Sequence, residues 1–308
     1  MAIVLQETLR APFYAPFYAA LALGAYEEEG IEVRLVTAPM PAAAARGLAD
    51  GSVDVAWGGP MRVLHTYDTQ PECDLVCFCE VVTRDPFFLL GRQPRPEFRL
   101  PDLAGLRLAT VSEVPTPWMC LQEDLRRGGV DPGRLERVGD RSMAENCEAL
   151  RRGDVDVVQL FQPFVESLVE DGAGHIWSAA ADRGPTSYTT LYGRRGLLAT
   201  RRADCEGMVR AIYRTLKWVH AGDGSRLAAA IADYFPGLPE PRLARALDRY
   251  LSLGIWGRDP RLPRSGFERL RAGLISGGLL ATGATYERLV DNSLAEGVIE
   301  QDPPPLAG

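Results

Sequence analysis

One pattern occurs twice in this chain and constrains its fold more than any other feature. "ADGSVDVAWGGP" at 49–60 and "RRGDVDVVQLFQP" at 151–163 each leave a helical stretch through a Gly, run into Val-Asp-Val, and stop at a Pro. The segments around them match as well. "IVLQETL", "IEVRLVTA" and "VDVAW" read as strands, separated by the helical stretches "FYAALALGAYEEEG" and "PAAAARGLADG". Further on, "LRLATV", "RLERVGD" and "VDVVQLF" alternate with "PWMCLQEDLRRGG" and "MAENCEALRRG". This is βαβαβ, written twice. Strands joined by helices build parallel sheets, and Gly30 and Gly51 sit where left-handed helix C-caps belong. Two such units in 308 residues predict two α/β lobes with a cleft between them. From about residue 203 the pattern turns helical. Met208, Ile212, Leu216 and Val219 share one face, and Arg210, Arg214 and Lys217 share another that should be solvated. The Pro-rich tail "QDPPPLAG" should be poorly ordered.

Charge and composition exclude several function classes. The formal net charge of −7 gives no basic footprint for nucleic acid. No run approaches the length of a membrane span. The N-terminal "MAIVLQETLR" lacks a basic segment followed by a long apolar one, so it reads as a first strand and not as a signal peptide. The expected location is cytoplasmic as the sequence stands, or periplasmic if a leader has been removed. Six cysteines form no CxxC pair. Cys73, Cys77 and Cys79 cluster in "PECDLVCFCEVV", which looks like a buried strand. They read as small apolar residues sooner than as metal ligands, and no metal is expected.

In open parallel sheets, ligands bind beyond the C-terminal ends of the strands. Those ends supply the candidate ligand-binding residues. Tyr14, beside Phe13, follows the first strand; Trp57, Gly58 and Gly59 follow "VDVAW"; Thr83, near Asp85, follows "CFCEVV". Ser112, Glu113, Thr116 and Trp118 follow "LRLATV". Gln159, Phe161 and Gln162 end "VDVVQLF", and Tyr188 lies in "GPTSYTTLYG". Each has a plainer reading: a tight turn for Gly58-Gly59, helix N-caps for Ser112 and Thr116, core packing for any single aromatic. Aromatics at five such loops nevertheless suit a flat, partly polar small molecule. Glu113 favours a ligand with N–H donors, such as an aminopyrimidine. A sulfonate or oxyanion would call on helix N-termini and an Arg, for which Arg62 and Arg84 are near.

Catalytic constellations are missing. There is no GxGxxG, Walker loop, HExxH or GxSxG. His65 falls inside a helix, and His175 and His220 lie near Gly-containing turns and look solvated. Asp54 and Asp156, in the Val-Asp-Val strands, read as structural. No catalytic residue and no cofactor are expected.

The stretches "APFYAPFYAALALGAYEEEGIEVRLV", "ARGLADGSVDVAWGGP", "LAGLRLATVSEVPTPW" and "GDVDVVQLFQPF" together resemble the nitrate/sulfonate/taurine and thiamine-pyrimidine group of substrate-binding proteins. The resemblance covers most of residues 3–296. It implies the type II periplasmic-binding fold, with two lobes joined by two crossings near Phe88–Arg92 and Tyr188–Arg194. One lobe would comprise 1–90 and 190–308, the other 91–189. It also implies a small-molecule ligand delivered to an ABC-type permease; the aromatic loops and Glu113 make a pyrimidine-like compound the leading expectation. The same fold includes enzymes, among them thiamine-pyrimidine synthases and desulfinases. The fungal synthases carry a cofactor-linked lysine in the N-terminal lobe and a CCCFC motif. Here "VCFCE" is a partial echo elsewhere in the chain, and the sole lysine, Lys217, lies in a C-terminal helix.

Overall fold

The computed structural model describes residues 2–38 and 44–307. Among these residues, ten strands form two five-stranded sheets. They are β1 (Ile3–Glu7), β2 (Val33–Thr37), β3 (Val55–Gly58), β4 (Leu75–Val82), β5 (Phe88–Gly91), β6 (Arg107–Ala109), β7 (Glu136–Val138), β8 (Val157–Leu160), β9 (His175–Ala179) and β10 (Thr189–Arg194). The sheet orders are β2-β1-β3-β10-β4 and β7-β6-β8-β5-β9. In each, the three strands of one βαβαβ unit lie parallel, with the first strand in the middle.

The remaining strands of each sheet do not run parallel. β10 lies antiparallel between β3 and β4, and β5 lies antiparallel between β8 and β9. Each inserted strand is the first one after the chain changes sheets, so the crossings are 83–87 and 180–188. The sequence reading placed them at Phe88–Arg92 and Tyr188–Arg194, most of which is strand. Every residue of β5 is buried. A strand buried on both faces shows no alternation to mark where it begins.

The Val-Asp-Val echo has a matching structural basis. Asp54 accepts the Val4 N–H on its Oδ2 at 2.8 Å, and its own N–H donates to the Val4 carbonyl at 3.0 Å. Asp156 accepts the Arg107 N–H at 2.9 Å and donates back to the Arg107 carbonyl at 2.9 Å. Each Asp thus adds a rung to the parallel ladder just before its strand begins. The preceding helix ends on Gly51 or Gly153, at φ of 79° and 81°, a conformation that costs a glycine little.

Helices cover both faces of both sheets. Phe17 and Tyr18 of helix Ala15–Ala22 and Met208 and Ile212 of helix Arg202–Ala221 pack on one face of the first sheet. Leu64 of helix Pro60–Thr69 and Phe267 and Leu270 of helix Arg264–Ser276 pack on the other, around Cys77 and Tyr192. The second sheet carries Cys147, Leu150, Val165 and Leu168 on one side. Leu121 and Leu125 of helix Thr116–Arg127 cover its other side.

Three details differ from the sequence reading. The first helical stretch breaks at Gly24, φ 68°, into Ala15–Ala22 and Ala25–Glu28. The tail is docked: Leu306 is 5% exposed in the core, and Lys217 Nζ meets Asp302 Oδ1 at 2.6 Å. The face expected to be solvated is ion-paired, Arg210 with Glu29 and Glu206, Arg214 with Glu28 and Glu29. Glu28 and Glu29 are distant in sequence and give no local signal; Glu206, four residues before Arg210, is the one partner the helix itself supplies. Part of the expected helix "PAAAARGLADG" lies outside the described residues; the helix Ala44–Asp50 accounts for the remainder. No helix of the described residues is long and apolar enough to cross a membrane.

Candidate functional site between the two sheets

The loops after β1, β3, β6 and β8 converge between the two sheets. Phe13 and Tyr14 come from the first, Gly59 and Arg62 from the second, Val114 and Thr116 from the third, and Phe161 from the fourth. Phe87 and Tyr188, at the ends of the two crossings, complete the wall of a cavity of about 30 Å³. Its aromatic rings meet edge to face. Phe13 lies 5.2 Å from Phe161 and 6.0 Å from Tyr188, and Phe87 lies 5.1 Å from Phe161. A volume of about 30 Å³ is one water's share of liquid, so these rings must separate before an organic molecule can enter.

A larger cavity, about 530 Å³, adjoins the first and shares Leu9 and Phe161 with it. Arg10, Pro12, Tyr234 and Phe235 line it from the side of the first sheet, Glu113, Met143 and Phe164 from the side of the second. Together the two volumes make a mostly apolar cleft with few polar groups, of the size small-molecule sites use.

The electrostatics are asymmetric. Arg62 stands in the first turn of helix Pro60–Thr69, and Thr116 opens helix Thr116–Arg127. One helix start from each side of the cleft presents backbone N–H groups and positive dipole ends. Burial pushes the Tyr14 hydroxyl above its ordinary range, opposed by the Thr8 hydroxyl, 3.3 Å away, and by the charge of Arg62. Burial raises Tyr188 well above its ordinary value. Both phenols therefore remain neutral hydrogen-bonding groups.

The structure brings Tyr14, Gly59, Thr116, Phe161 and Tyr188 to the small cavity and Glu113 to the larger one. Gly58 sits just behind, where a Cβ would lie 3.1 Å from the Thr8 side chain; on Gly59 it would lie 3.2 Å from the Tyr188 carbonyl oxygen. The Glu113 carboxylate already accepts the Met143 N–H at 2.8 Å. Thr116 is the first helical residue and not its cap, and its side chain makes no capping bond. Ser112 is exposed and caps no helix.

Other candidates are held elsewhere. Trp57 has no exposed surface and stacks on Phe17 at 4.7 Å; it backs Tyr14 and does not wall the cleft. Trp118 lies beneath the Arg137 guanidinium, 4.5 Å away. Gln159 donates to the Pro117 carbonyl at 3.0 Å and lines a separate cavity of about 330 Å³. Gln162 is fully buried and paired with Glu166. Thr83 lines a separate cavity that shares no residue with the cleft. For Trp57 the cause is parity: successive residues at a strand end face opposite ways, and Trp57 in β3 turns to the core. Leu9, Phe87 and Val114 were missed as site residues, and Arg62 was noted only for the anion alternative. Its position two residues past Pro60, in a helix's first turn, is the signal that could have promoted it.

The two crossings are pinned together. Arg183 of the second meets Asp85 of the first at 2.5 Å and Asp124 at 2.5 Å, and Asp85 has no exposed surface. At the rim, Arg249 meets Glu166 at 2.6 Å, and Arg242 and Arg245 hold Glu170, joining helices Glu240–Leu253 and Phe164–Glu170.

The residues lining the cleft cavities include no cysteine and no histidine. Burial pushes the Cys120 and Cys147 thiols up to about 12 and Cys205 to about 11, and raises Cys77 and Cys79 further. His220, expected to be solvated, is half-buried with Nε2 2.9 Å from the Gly257 carbonyl oxygen. Among the described residues no group of His, Cys, Asp and Glu is placed to hold a metal ion.

Residues 11–222 match the family model described as NMT1/THI5 like. YtlA of Bacillus subtilis (strain 168), a binding protein by a name that is itself provisional, is 24% identical over 297 residues, covering 96% of this chain and 89% of that protein. The periplasmic aliphatic sulphonate binding protein SsuA from Escherichia coli superposes with a TM-score of 0.76 at 17% identity, over 94% of this chain and 97% of that one. A complex of the desulfurization enzyme DszB with biphenyl-2-sulfinic acid superposes with a TM-score of 0.70 at 14% identity, over 98% and 100% of the two chains. Both structures share the fold of two sheets flanking a cleft.

Proposed function

The chain belongs to the NMT1/THI5-like family, and from that premise we propose that it is a solute-binding protein of ABC-type import, closing two lobes over a small organic anion with a flat apolar body. We take the lobes to be 1–82 with 189–308, and 88–179, joined by the crossings described above; the expected boundary at 90/91 moves to before β5, which pairs within the second sheet. The carrying observation is the convergence of Arg62 and two helix N-termini on a cavity walled by Phe13, Tyr14, Phe161 and Tyr188. Rings and Leu9 bury the ligand's body; Arg62 and the helix N–H groups of Pro60–Thr69 and Thr116–Arg127 take its negative end. The curated relative is named a binding protein, and SsuA binds aliphatic sulphonates, which supports an anion over a neutral heterocycle. The aminopyrimidine reading leaned on Trp57, which stacks on Phe17, and on Glu113, one of whose oxygens already accepts the Met143 N–H. Catalysis of the desulfinase kind is disfavoured because the cleft offers no thiol or imidazole.

A thermal-shift screen over aryl and alkyl sulfonates, aromatic carboxylates and aminopyrimidines tests the reading. A ligand at a hundred times its Kd stabilises by roughly 2.7 kcal/mol. Stabilisation by sulfonates or carboxylates that disappears in Arg62→Ala is expected. Stabilisation by aminopyrimidines alone, lost in Glu113→Gln, would replace the anion reading, and steady conversion of the bound compound would replace the binding-protein reading.

A further inference from the structure

A cavity of about 520 Å³ shares no lining residue with the cleft cavities. It forms where the segment after helix Glu240–Leu253 runs along the outer edge of β4. The Thr83 N–H donates to the Ile255 carbonyl at 2.8 Å, the Glu80 N–H to the Pro260 carbonyl at 2.8 Å, and the Gly257 N–H to the Val81 carbonyl at 2.9 Å. The edge strand is therefore covered, and between its side chains and that segment a space remains.

Glu80, in the middle of β4, lines this space. It is 2% exposed, and its Oε1 has no hydrogen-bond partner. Buried carboxyls normally find one. The Ser187 Oγ, which faces Glu80, has no other group to bond to. Burial raises the Glu80 carboxyl to about 8, with the Ser187 and Thr83 hydroxyls opposing the shift and Asp259 adding to it. At neutral pH the wall thus carries a carboxylic acid, able to donate as well as accept.

The charged groups in the rest of the lining are three arginines and one acid, Asp259, beside a half-buried His220. Arg84, Arg258 and Arg261 all line the cavity. Arg261 is paired with Asp259 at 2.9 Å, and Arg84 reaches the Ala181 carbonyl at 3.4 Å. Arg258 is exposed and has no ion pair among the described residues. Asn292 and Tyr286 are already bonded to each other and to Leu262. The groups left to meet a ligand are therefore a protonated acid, an unpaired guanidinium and the Thr83 hydroxyl. That set complements a carboxylate, which accepts from all three and matches the guanidinium fork.

We propose that this cavity is a second binding site, for a small carboxylate-bearing molecule, with Glu80 donating to a carboxylate oxygen and Arg258 supplying the opposite charge. Thr83, Arg84 and Pro185 bring both interlobe crossings to its wall. Ser187 faces Glu80, while Tyr188, the next residue, lines the cleft. An occupant would bear directly on the segments that join the two sheets.

Calorimetric titration of the full chain with acetate, succinate and citrate tests the site. Near neutral pH at least one should bind more tightly than about 1 mM. Glu80→Gln, which keeps a neutral donor, should bind within about threefold of the parent, whereas Arg258→Ala and Glu80→Leu should each lose about tenfold or more. Wild-type affinity should fall as pH rises through about 8, where Glu80 acquires charge; Glu80→Gln should not follow. The other groups interacting with Glu80 are Asp259, Tyr286 and the high-pKa thiols of Cys77 and Cys79; Arg84, Arg258, Arg261 and His220, whose pKa burial lowers, line the same cavity. The proposal fails if none of the three anions binds, or if Arg258→Ala binds as well as the parent. It fails equally if Arg62→Ala, in the cleft, removes the binding. Arg258 is exposed, so its variant should fold even if Glu80→Leu does not.

Discussion

The Asp54 carboxylate accepts the Val4 N–H at 2.8 Å while the Asp54 N–H donates to the Val4 carbonyl at 3.0 Å. Asp156 repeats the exchange with Arg107 in the second sheet. Removing either carboxylate leaves a strand N–H without its acceptor. Asp54→Ala is expected to cost about 1–3 kcal/mol, measured by urea unfolding. An unchanged midpoint would mean that water replaces the carboxylate freely.

Asp156 should also leave a mark on the acid limb of stability. Its carboxyl is held below the usual range, first by the Arg107 side-chain hydrogen bond. A group with a depressed folded pKa stabilises above its unfolded value, near 3.9, and that stabilisation is lost as pH falls through the folded value. Asp156→Asn should therefore flatten the stability–pH curve below about pH 5. A curve parallel to the parent's would deny Asp156 this role.

Arg183 bridges Asp85, of the other crossing, and Asp124 while itself nearly buried. Arg183→Met would strand Asp85 as a buried, uncompensated charge, at a cost of about 3–5 kcal/mol. The double variant with Asp85→Asn should recover part of that loss. A double variant whose loss equals the sum of the separate Arg183→Met and Asp85→Asn losses would show that the pair is not coupled.

Arg249 and Arg242 clamp Glu166 and Glu170 across the rim of the cleft. Replacing both arginines by Ala should favour an open form. The expected signs are a larger radius of gyration in solution scattering without ligand and a smaller one once ligand is added. A radius unaffected by the substitutions would mean that the aromatic contacts alone hold the lobes together.

Five of the six cysteines are buried with raised thiol pKa values, and Cys73 is partly exposed. A thiol reagent should label one group quickly in the native protein and six after denaturation. Rapid labelling of two or more native thiols would contradict the burial.

Much of this architecture could be read from residues alone. The Gly51 and Gly153 caps and the Val-Asp-Val segments marked equivalent strands, since backbone conformation and burial impose local rules on composition. The position of β5 could not be read, because its pairing partners lie about seventy to ninety residues downstream and a doubly buried strand has no period. The site was half legible. Loops at strand ends identified Tyr14, Thr116, Phe161 and Tyr188, whereas Trp57 turned inward on the parity of a single residue. Arg62 carried too little local contrast to stand out among so many arginines. Glu80 gave no sign at all: "VCFCEVV" looks like core, and only the covering segment around Pro260 reveals that its carboxyl ends in a space.

The exchange of strands between the sheets has a consequence for how the protein is made. As the chain is synthesised, the second sheet has all five strands once Ala179 has emerged. The first must wait for β10, and one of its faces for helix Arg202–Ala221, with β4 already made more than a hundred residues earlier. A ribosome-bound chain stopped near residue 185 and extended by a linker should thus hold a protease-resistant middle and a digestible N-terminal part. The half made last protects the half made first, and chaperone demand should fall on the first 82 residues.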